Sequence, residues 1–346
     1  MINPTLPPWY LLRILIISTV ITVPDEFMDY IKNLKNNAIY GLSRYFVKKH
    51  IYNRYISRRF SVSSFPPEVW IENTNCCNAK CVMCPREKHN RPLGIMKFTL
   101  FEKLIKEIST FKNDVRRVHL HNYGEPLLDK KLPKRNKLAK DYGIKHVYFV
   151  TNASLLTPEL SQALIETGLD EFKISFYGTD KKTYNDRMDG LDFDSTLQNI
   201  KDFFKIRKDM KALKPKVVIQ YIPQTTNHSE IEKFSHIFNH MIDKNVGDSL
   251  HNFSLHNFGD GRDYYDSQMD KITSTCYYPW RTMVILHDGK VVICCLDYNG
   301  VLVVGDVNKN TIKEIWNNEQ YRKVRDDFKH LRYSEYSICK KCNVIR

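Results

Sequence analysis

Six short runs rich in β-branched and aromatic residues recur between residues 68 and 257. They are "EVWIEN" (68–73), "RRVHLHN" (116–122), "HVYFVT" (146–151), "EFKISFY" (171–177), "KVVIQYI" (216–222) and "HNFSLHN" (251–257). Helical periodicity separates them. Thr99–Phe111 sets Leu100, Leu104, Ile105 and Ile108 on one face, and Thr157–Thr167, Phe193–Lys208 and Ser229–Asp243 repeat the pattern. Strands alternating with helices predict an α/β fold, a parallel sheet with right-handed crossovers. Six units are too few for a full eight-stranded barrel, so the expectation is a partial (β/α)6 barrel. In such a sheet, ligands bind at the C-terminal ends of the strands.

Beyond about residue 270 the texture changes. "MVILHDGKVVICC" (283–295) predicts a hairpin turning at Asp288-Gly289. "KNTIKEIWNNEQYRKVRDDF" (309–328) predicts one helix with Ile312, Ile315 and Trp316 on one side, and "CKKC" follows near the end. The expected division is an N-terminal extension (1–65), a core (66–265) and a small C-terminal module (266–346). The extension holds an apolar run, Trp9–Val23, whose fifteen residues fall short of the roughly 20 that span a bilayer. Most of the net charge of +14 has a local source here: no acidic residue occurs from Ile31 to Pro67. That basic stretch fits a solvated helical face, a docking segment for anionic membrane lipid through residues 1–60, or a polyanion site. No RNA-binding motif accompanies it, and no nucleic-acid partner is expected.

The nine cysteines cluster rather than spread, and "MINPTLPP" lacks the basic start of a secretory signal. Clustered thiols without export read as metal ligands in a reducing, cytoplasmic setting. Cys77, Cys81 and Cys84 are spaced C-x3-C-x2-C just after the first strand. Three thiolates on one loop can hold three irons of a [4Fe–4S] cube and leave the fourth iron open. A structural zinc would need a fourth ligand, from Cys76 or His89.

Around this loop the sequence resembles the radical S-adenosylmethionine (SAM) superfamily over residues 66–346. "CNAKCVMC" matches the family's cysteine loop, whose open iron is chelated by SAM. "YGEP" (123–126) resembles the motif that binds the methionine amino group and implicates Gly124 and Glu125. "VTNA" (150–153) resembles V-T-N-G with Ala153 in place of glycine, and implicates Asn152. "ISFYG" (174–178) resembles I-S-L-D-G and puts Ser175 at the SAM ribose. Arg187 stands where related enzymes place an arginine facing the SAM carboxylate. Met83 departs from the aromatic residue often found before the third cysteine.

Cys276, Cys294, Cys339 and Cys342 resemble the SPASM/twitch extensions of the same superfamily and would close a second, auxiliary [4Fe–4S] cluster. A full SPASM extension has seven cysteines. Four residues follow Cys342, so a one-cluster twitch module is expected. A zinc ribbon is the alternative, and Cys76 and Cys295 each compete with an adjacent ligand.

The resemblance implies an enzyme that cleaves SAM reductively to a 5′-deoxyadenosyl radical, with electrons from an external flavodoxin- or ferredoxin-like reductant. With a fully ligated cluster as electron acceptor, the implied reaction is oxidation of a small sugar- or cyclitol-like alcohol. Arg262 and Asp297 are the candidate proton acceptors. The alternatives are a peptide- or protein-modifying maturase and, in another class, a zinc-containing nucleic-acid binder.

Overall fold

A computed structural model describes residues 60–223, 228–253, 258, 276–340 and 342. These belong almost wholly to the second of two compact units, Val62–Arg346. The apolar run and most of the basic N-terminal stretch lie outside the described residues. No helix among the described residues is long and apolar enough to cross a membrane.

The six predicted strands form and stand in chain order in one sheet: β1 (Glu68–Ile71), β2 (Arg117–His119), β3 (Val147–Thr151), β4 (Glu171–Ser175), β5 (Lys216–Tyr221) and β6 (Ser249–Asn252). Each pairs parallel with the next. The sixth begins two residues before the expected run.

The crossover helices are α1 (Phe98–Thr110), α2 (Leu132–Asp141), α3 (Pro158–Glu166), α4 (Lys181–Arg187), α5 (Phe193–Asp209) and α6 (His228–Phe238). In α1 the buried face is Phe101, Leu104, Ile105 and Ile108, with Leu100 only half-buried. Thr157 starts α3 by accepting the Leu160 N–H, with Pro158 at the first helical position. The second helix has no apolar stripe to announce it. It buries Arg135 and Asn136, and the Arg135 guanidinium pairs with Asp129 and the Met96 carbonyl.

The C-terminal module continues the same sheet. Strand β7 (Thr282–Ile285) pairs parallel with β1, in the register Val69↔Met283 and Trp70↔Val284. Strands β8 (Lys290–Val292) and β9 (Val303–Asp306) extend it antiparallel, giving the order β6-β5-β4-β3-β2-β1-β7-β8-β9. The hairpin turns where expected, with Gly289 at φ +94°.

The single helix expected over 309–328 is two helices, α7 (Ile312–Trp316) and α8 (Glu319–Lys329). The break is chemical. Asn318 leaves the helical region and its side chain accepts the Tyr321 N–H at 2.8 Å, starting a new helix inside an unbroken apolar period. A short helix, α9 (Ser337–Lys340), carries Cys339.

A buried ion pair fastens module to core. Glu72, fully buried just past β1, accepts from Arg91 Nη1 (2.8 Å) and Nη2 (2.7 Å) and from the His287 N–H (3.1 Å). Arg91 Nε donates to the Tyr298 carbonyl at 2.8 Å. Burial alone would raise the Glu72 pKa, but the hydrogen bonds from His287 and Arg91 outweigh it and hold the group at about 2, below its ordinary 4.5. The folded pKa is depressed, so this stabilisation is complete above about 4.5 and fades as pH falls toward 2. Glu72→Gln strands the Arg91 charge and is expected to lower stability by about 3 kcal/mol at neutral pH. Thermal unfolding of both proteins across the acid range should show the gap closing as pH drops; a pH-independent gap contradicts the assignment.

The face of the sheet that carries Trp70 is polar and aromatic across β1 to β4, and apolar where Val284, Leu286 and Val292 of the C-terminal module pack against Trp70. Trp70 and His119 stack with centroids 4.0 Å apart, His119 meets Tyr148 at 4.5 Å, and Arg117 and Lys173 lie over the Tyr148 ring. Barrel interiors are more often filled with branched apolar residues.

Candidate active site

A cavity of about 310 Å³ opens at the C-terminal strand ends, and Cys77, Cys81 and Cys84 all border it. Their loop is pinned by backbone bonds from Lys80 N–H to the Asp189 carbonyl (2.7 Å) and from Val82 N–H to the Arg187 carbonyl (3.0 Å). The Arg86 guanidinium adds a bond to the Ala79 carbonyl at 3.2 Å. Burial pushes the Cys77 thiol up to about 11 and the Cys81 thiol further still. Such thiols ionise only against a strong positive charge, so this donor set suits a metal cluster. Among the described residues no three His, Cys, Asp or Glu side chains are grouped for a single ion. One tetrahedral zinc would draw its sulfurs to ~3.8 Å from one another. Cys76 does not border the cavity; its thiol lies 3.8 Å from the Gly94 carbonyl. His89 borders another cavity that shares Cys81, Cys84 and Arg86 with the first.

Gly124, Glu125, Asn152 and Ser175 border the same cavity. Gly124 has φ +119°, and a Cβ there would sit 2.5 Å from the Thr74 carbonyl oxygen and 2.7 Å from that of Cys76. Only glycine lets the loop after β2 lie against the cysteine loop. The next N–H, of Glu125, donates to the Cys76 carbonyl at 2.7 Å. The Glu125 carboxylate accepts from Thr151 Oγ1 (2.6 Å), the Asn152 N–H (2.7 Å) and the Leu127 N–H (3.0 Å). Burial raises its pKa to about 7 against those three bonds. This side chain is therefore a strut between two motifs as well as a wall of the cavity. Asn152 Nδ2 reaches Asn78 of the cysteine loop at 3.0 Å, and Ser175 Oγ accepts from Tyr177 Oη at 2.9 Å. Ala153, at the position where glycine was expected, has φ +60°, a conformation a Cβ makes unfavourable.

Two expected site residues sit differently. Arg187 does not border the cavity: its guanidinium donates to Glu230 Oε1 (2.7 Å), Tyr221 Oη (3.1 Å) and the Tyr177 carbonyl (3.3 Å). Asp297, 1% exposed, also stands off the cavity, and its two oxygens accept the N–H groups of Val301 and Leu302 at 2.8 Å each. It closes its own loop. Arg262 lies outside the described residues.

The cavity also has borders that spacing did not announce: Trp70, His121, Tyr177, Gln220 and Cys295. The strand alternation that puts Arg117, His119 and His121 on one face was the available signal.

Cys276, Cys294, Cys339 and Cys342 come together around a second, small pocket walled by Ile293, Leu296, Phe328 and Ile338. Burial raises the Cys339 thiol, while the hydrogen bond shared with Cys295, followed by burial, raises that of Cys294. Cys294 borders this pocket and Cys295 borders the main cavity, the two thiols remaining within hydrogen-bond reach of each other. Four thiols in an apolar pocket suit a closed cluster as the first three suit an open one.

Two family models span the segments that carry the two cysteine sets. Residues 71–233 match the family model described as the radical SAM superfamily, and residues 276–343 match SPASM, an iron–sulfur cluster-binding domain. An S-adenosyl-L-methionine-dependent 2-deoxy-scyllo-inosamine dehydrogenase from Niallia circulans is 25% identical over 277 residues, covering 80% of this chain and 92% of the relative. A probable GTP 3′,8-cyclase from Sulfurisphaera tokodaii is 29% identical over 197 residues, 56% of this chain and 57% of its own. Among solved structures, BtrN in complex with AdoMet and 2-DOIA superposes with TM-score 0.55 at 21% identity, covering 81% of this chain and 93% of that one. Streptococcus suis SuiB bound to S-adenosylmethionine gives 0.59 at 16% identity, over 87% and 77%.

Proposed function

We propose that this chain, which belongs to the radical SAM superfamily, oxidises a sugar- or cyclitol-like alcohol to a ketone through its SPASM-type module. The core binds a [4Fe–4S] cluster and SAM, and the module binds auxiliary iron–sulfur. Bound there, SAM supplies a radical that takes a hydrogen atom from carbon, and the auxiliary cluster supplies an electron acceptor.

The residues divide that work. Cys77, Cys81 and Cys84 hold the first cluster, and Cys276, Cys294, Cys339 and Cys342 hold the second. Gly124 allows the close approach that brings the loop after β2 to the cysteine loop, and Glu125 fixes Thr151 and Asn152 beside it. Asn152 and Ser175 offer polar contacts to SAM, while Arg187 braces the Tyr177 wall instead of touching the cavity. Asp297 anchors the loop after Cys294, a positioning role. Residues 66–265 form the core and 266–346 the module, joined in one sheet by β1 and β7. The enzyme works in the cytoplasm, with electrons from a flavodoxin- or ferredoxin-like donor.

The observation that carries this reading is the Cys294-Cys295 dipeptide, one side chain in each pocket, which leaves the cavity one residue from the second thiol set. The relative matched over nine-tenths of its length is a dehydrogenase of an aminocyclitol, which favours a small alcohol over the peptide alternative. Anaerobically reconstituted protein is expected to hold about eight irons per chain. Given reductant, SAM and 2-deoxy-scyllo-inosamine, it should form 5′-deoxyadenosine and a ketone in equal amounts. Stoichiometric zinc without iron, or no 5′-deoxyadenosine, would sink the reading.

A further inference from the structure

His121 lies two residues past β2, 6% exposed, and borders the main cavity. Its ring is wedged between Trp70 (centroids 4.8 Å), Tyr148 (5.2 Å) and His119 (6.0 Å). Nδ1 is buried without a hydrogen-bond partner among the described residues. Nε2 is not sealed in the same way, which leaves it as the nitrogen facing the cavity. Trp70, which borders the same cavity, also has an indole N–H without a partner among the described residues. A buried polar group left unmatched costs about 1–3 kcal/mol, so such groups are retained where a ligand or water completes them.

Burial, helped by His119 and Lys173, holds the His121 pKa well below its usual value. The ring is neutral and can accept a hydrogen bond. The groups around it are His119, Tyr148 and Lys173, with Cys295 elsewhere on the cavity wall.

We propose that His121 is the catalytic residue that receives the hydroxyl proton of the alcohol. This rests on the reading of the site as an alcohol oxidase. Conversion of a secondary alcohol to a ketone releases a hydrogen atom from carbon, a proton from oxygen and one electron. The hydrogen atom goes to the SAM-derived radical and the electron to the auxiliary cluster. The O–H bond breaks as an N–H bond forms on His121, and no electron moves in that transfer. The imidazolium so formed stands 6.0 Å, ring to ring, from His119, whose Nε2 lies 3.1 Å from Glu68 Oε2.

The test uses His121→Gln and His121→Phe holoenzymes with C-deuterated 2-deoxy-scyllo-inosamine. Both variants should keep about eight irons, and His121→Gln should still pass deuterium into 5′-deoxyadenosine. Ketone formation by His121→Gln should fall at least ~100-fold. Calorimetry without reductant gives a second readout: His121→Phe should bind the aminocyclitol ~10-fold more weakly, as loss of one hydrogen bond requires. If His121→Gln makes ketone within about 3-fold of the parent rate, the proposal is overturned and the alcohol-oxidase reading stands. If the parent binds the probe but makes no ketone, the oxidase reading falls, and with it the proton-accepting role. If the parent neither binds nor oxidises it, both fail for this class of alcohol.

Discussion

Cys294→Ala should leave about four irons per chain and no ketone product, whereas Cys295→Ala should leave about eight. The two residues are adjacent in sequence, and spacing alone could not choose between them. Their side chains enter different spaces: Cys294 joins Cys276, Cys339 and Cys342, and Cys295 joins the cavity at the strand ends. Losing one of four ligands in a closed site opens the cluster to solvent and loss. The first cluster is held by a separate loop, so SAM cleavage should continue in Cys294→Ala, uncoupled from oxidation. Cys295→Ala should keep both clusters and alter only the affinity for substrate. Iron analysis with Mössbauer spectroscopy and a 5′-deoxyadenosine-to-ketone ratio measure both halves. The reverse pattern of iron loss would mean the ligand assignment is exchanged.

Gly124→Ala should destabilise the protein by about 4 kcal/mol and abolish SAM binding. Two effects add. A side chain at φ +119° costs about 2 kcal/mol, and a Cβ forced to 2.5 Å from a carbonyl oxygen costs about as much again in displaced backbone. What moves is the loop after β2 or the cysteine loop, and either breaks the bond from the Glu125 N–H to Cys76. Gly168 is the control: its φ is +71°, but a methyl group there would meet nothing within 4 Å. Gly168→Ala should cost about 1 kcal/mol and leave SAM affinity unchanged. Urea unfolding and equilibrium SAM titration of the three proteins decide it; equal losses at both glycines would mean the contact at Gly124 is unimportant.

Much of the fold is legible in the sequence because its signals are local. Four of the six strand runs are blocks of Val, Ile, Phe, Trp and Tyr, and α1 and α3 carry an apolar stripe or a cap. The helix Leu132–Asp141 is not legible, since the centre of its buried face is Arg135 and Asn136, which bond to Asp129 and Thr167 elsewhere in the chain. The break at Asn318 is hidden by a period that runs through it. At the site, the seven cysteines singled out from spacing border two cavities, Cys77, Cys81 and Cys84 the first and Cys276, Cys294, Cys339 and Cys342 the second. Arg187 and Asp297 depart from their expected roles. Whether a charged side chain faces a cavity depends on what competes for it, and here Glu230 and the backbone of a neighbouring loop do. His121 escapes a reading of the sequence because a histidine in a strand is ordinary until its missing partner is seen.

The parallel pairing of β1 with β7 joins segments more than two hundred residues apart. During synthesis, therefore, the edge of β1 beside the future cluster loop waits while more than two hundred further residues emerge. Long-range parallel pairing is slow, and an open edge invites the wrong partner. The chain should need chaperone protection until its last strands emerge, and a truncation before residue 282 should aggregate rather than yield a working core. The second cluster site is thus part of the first domain's folding pathway, completed last.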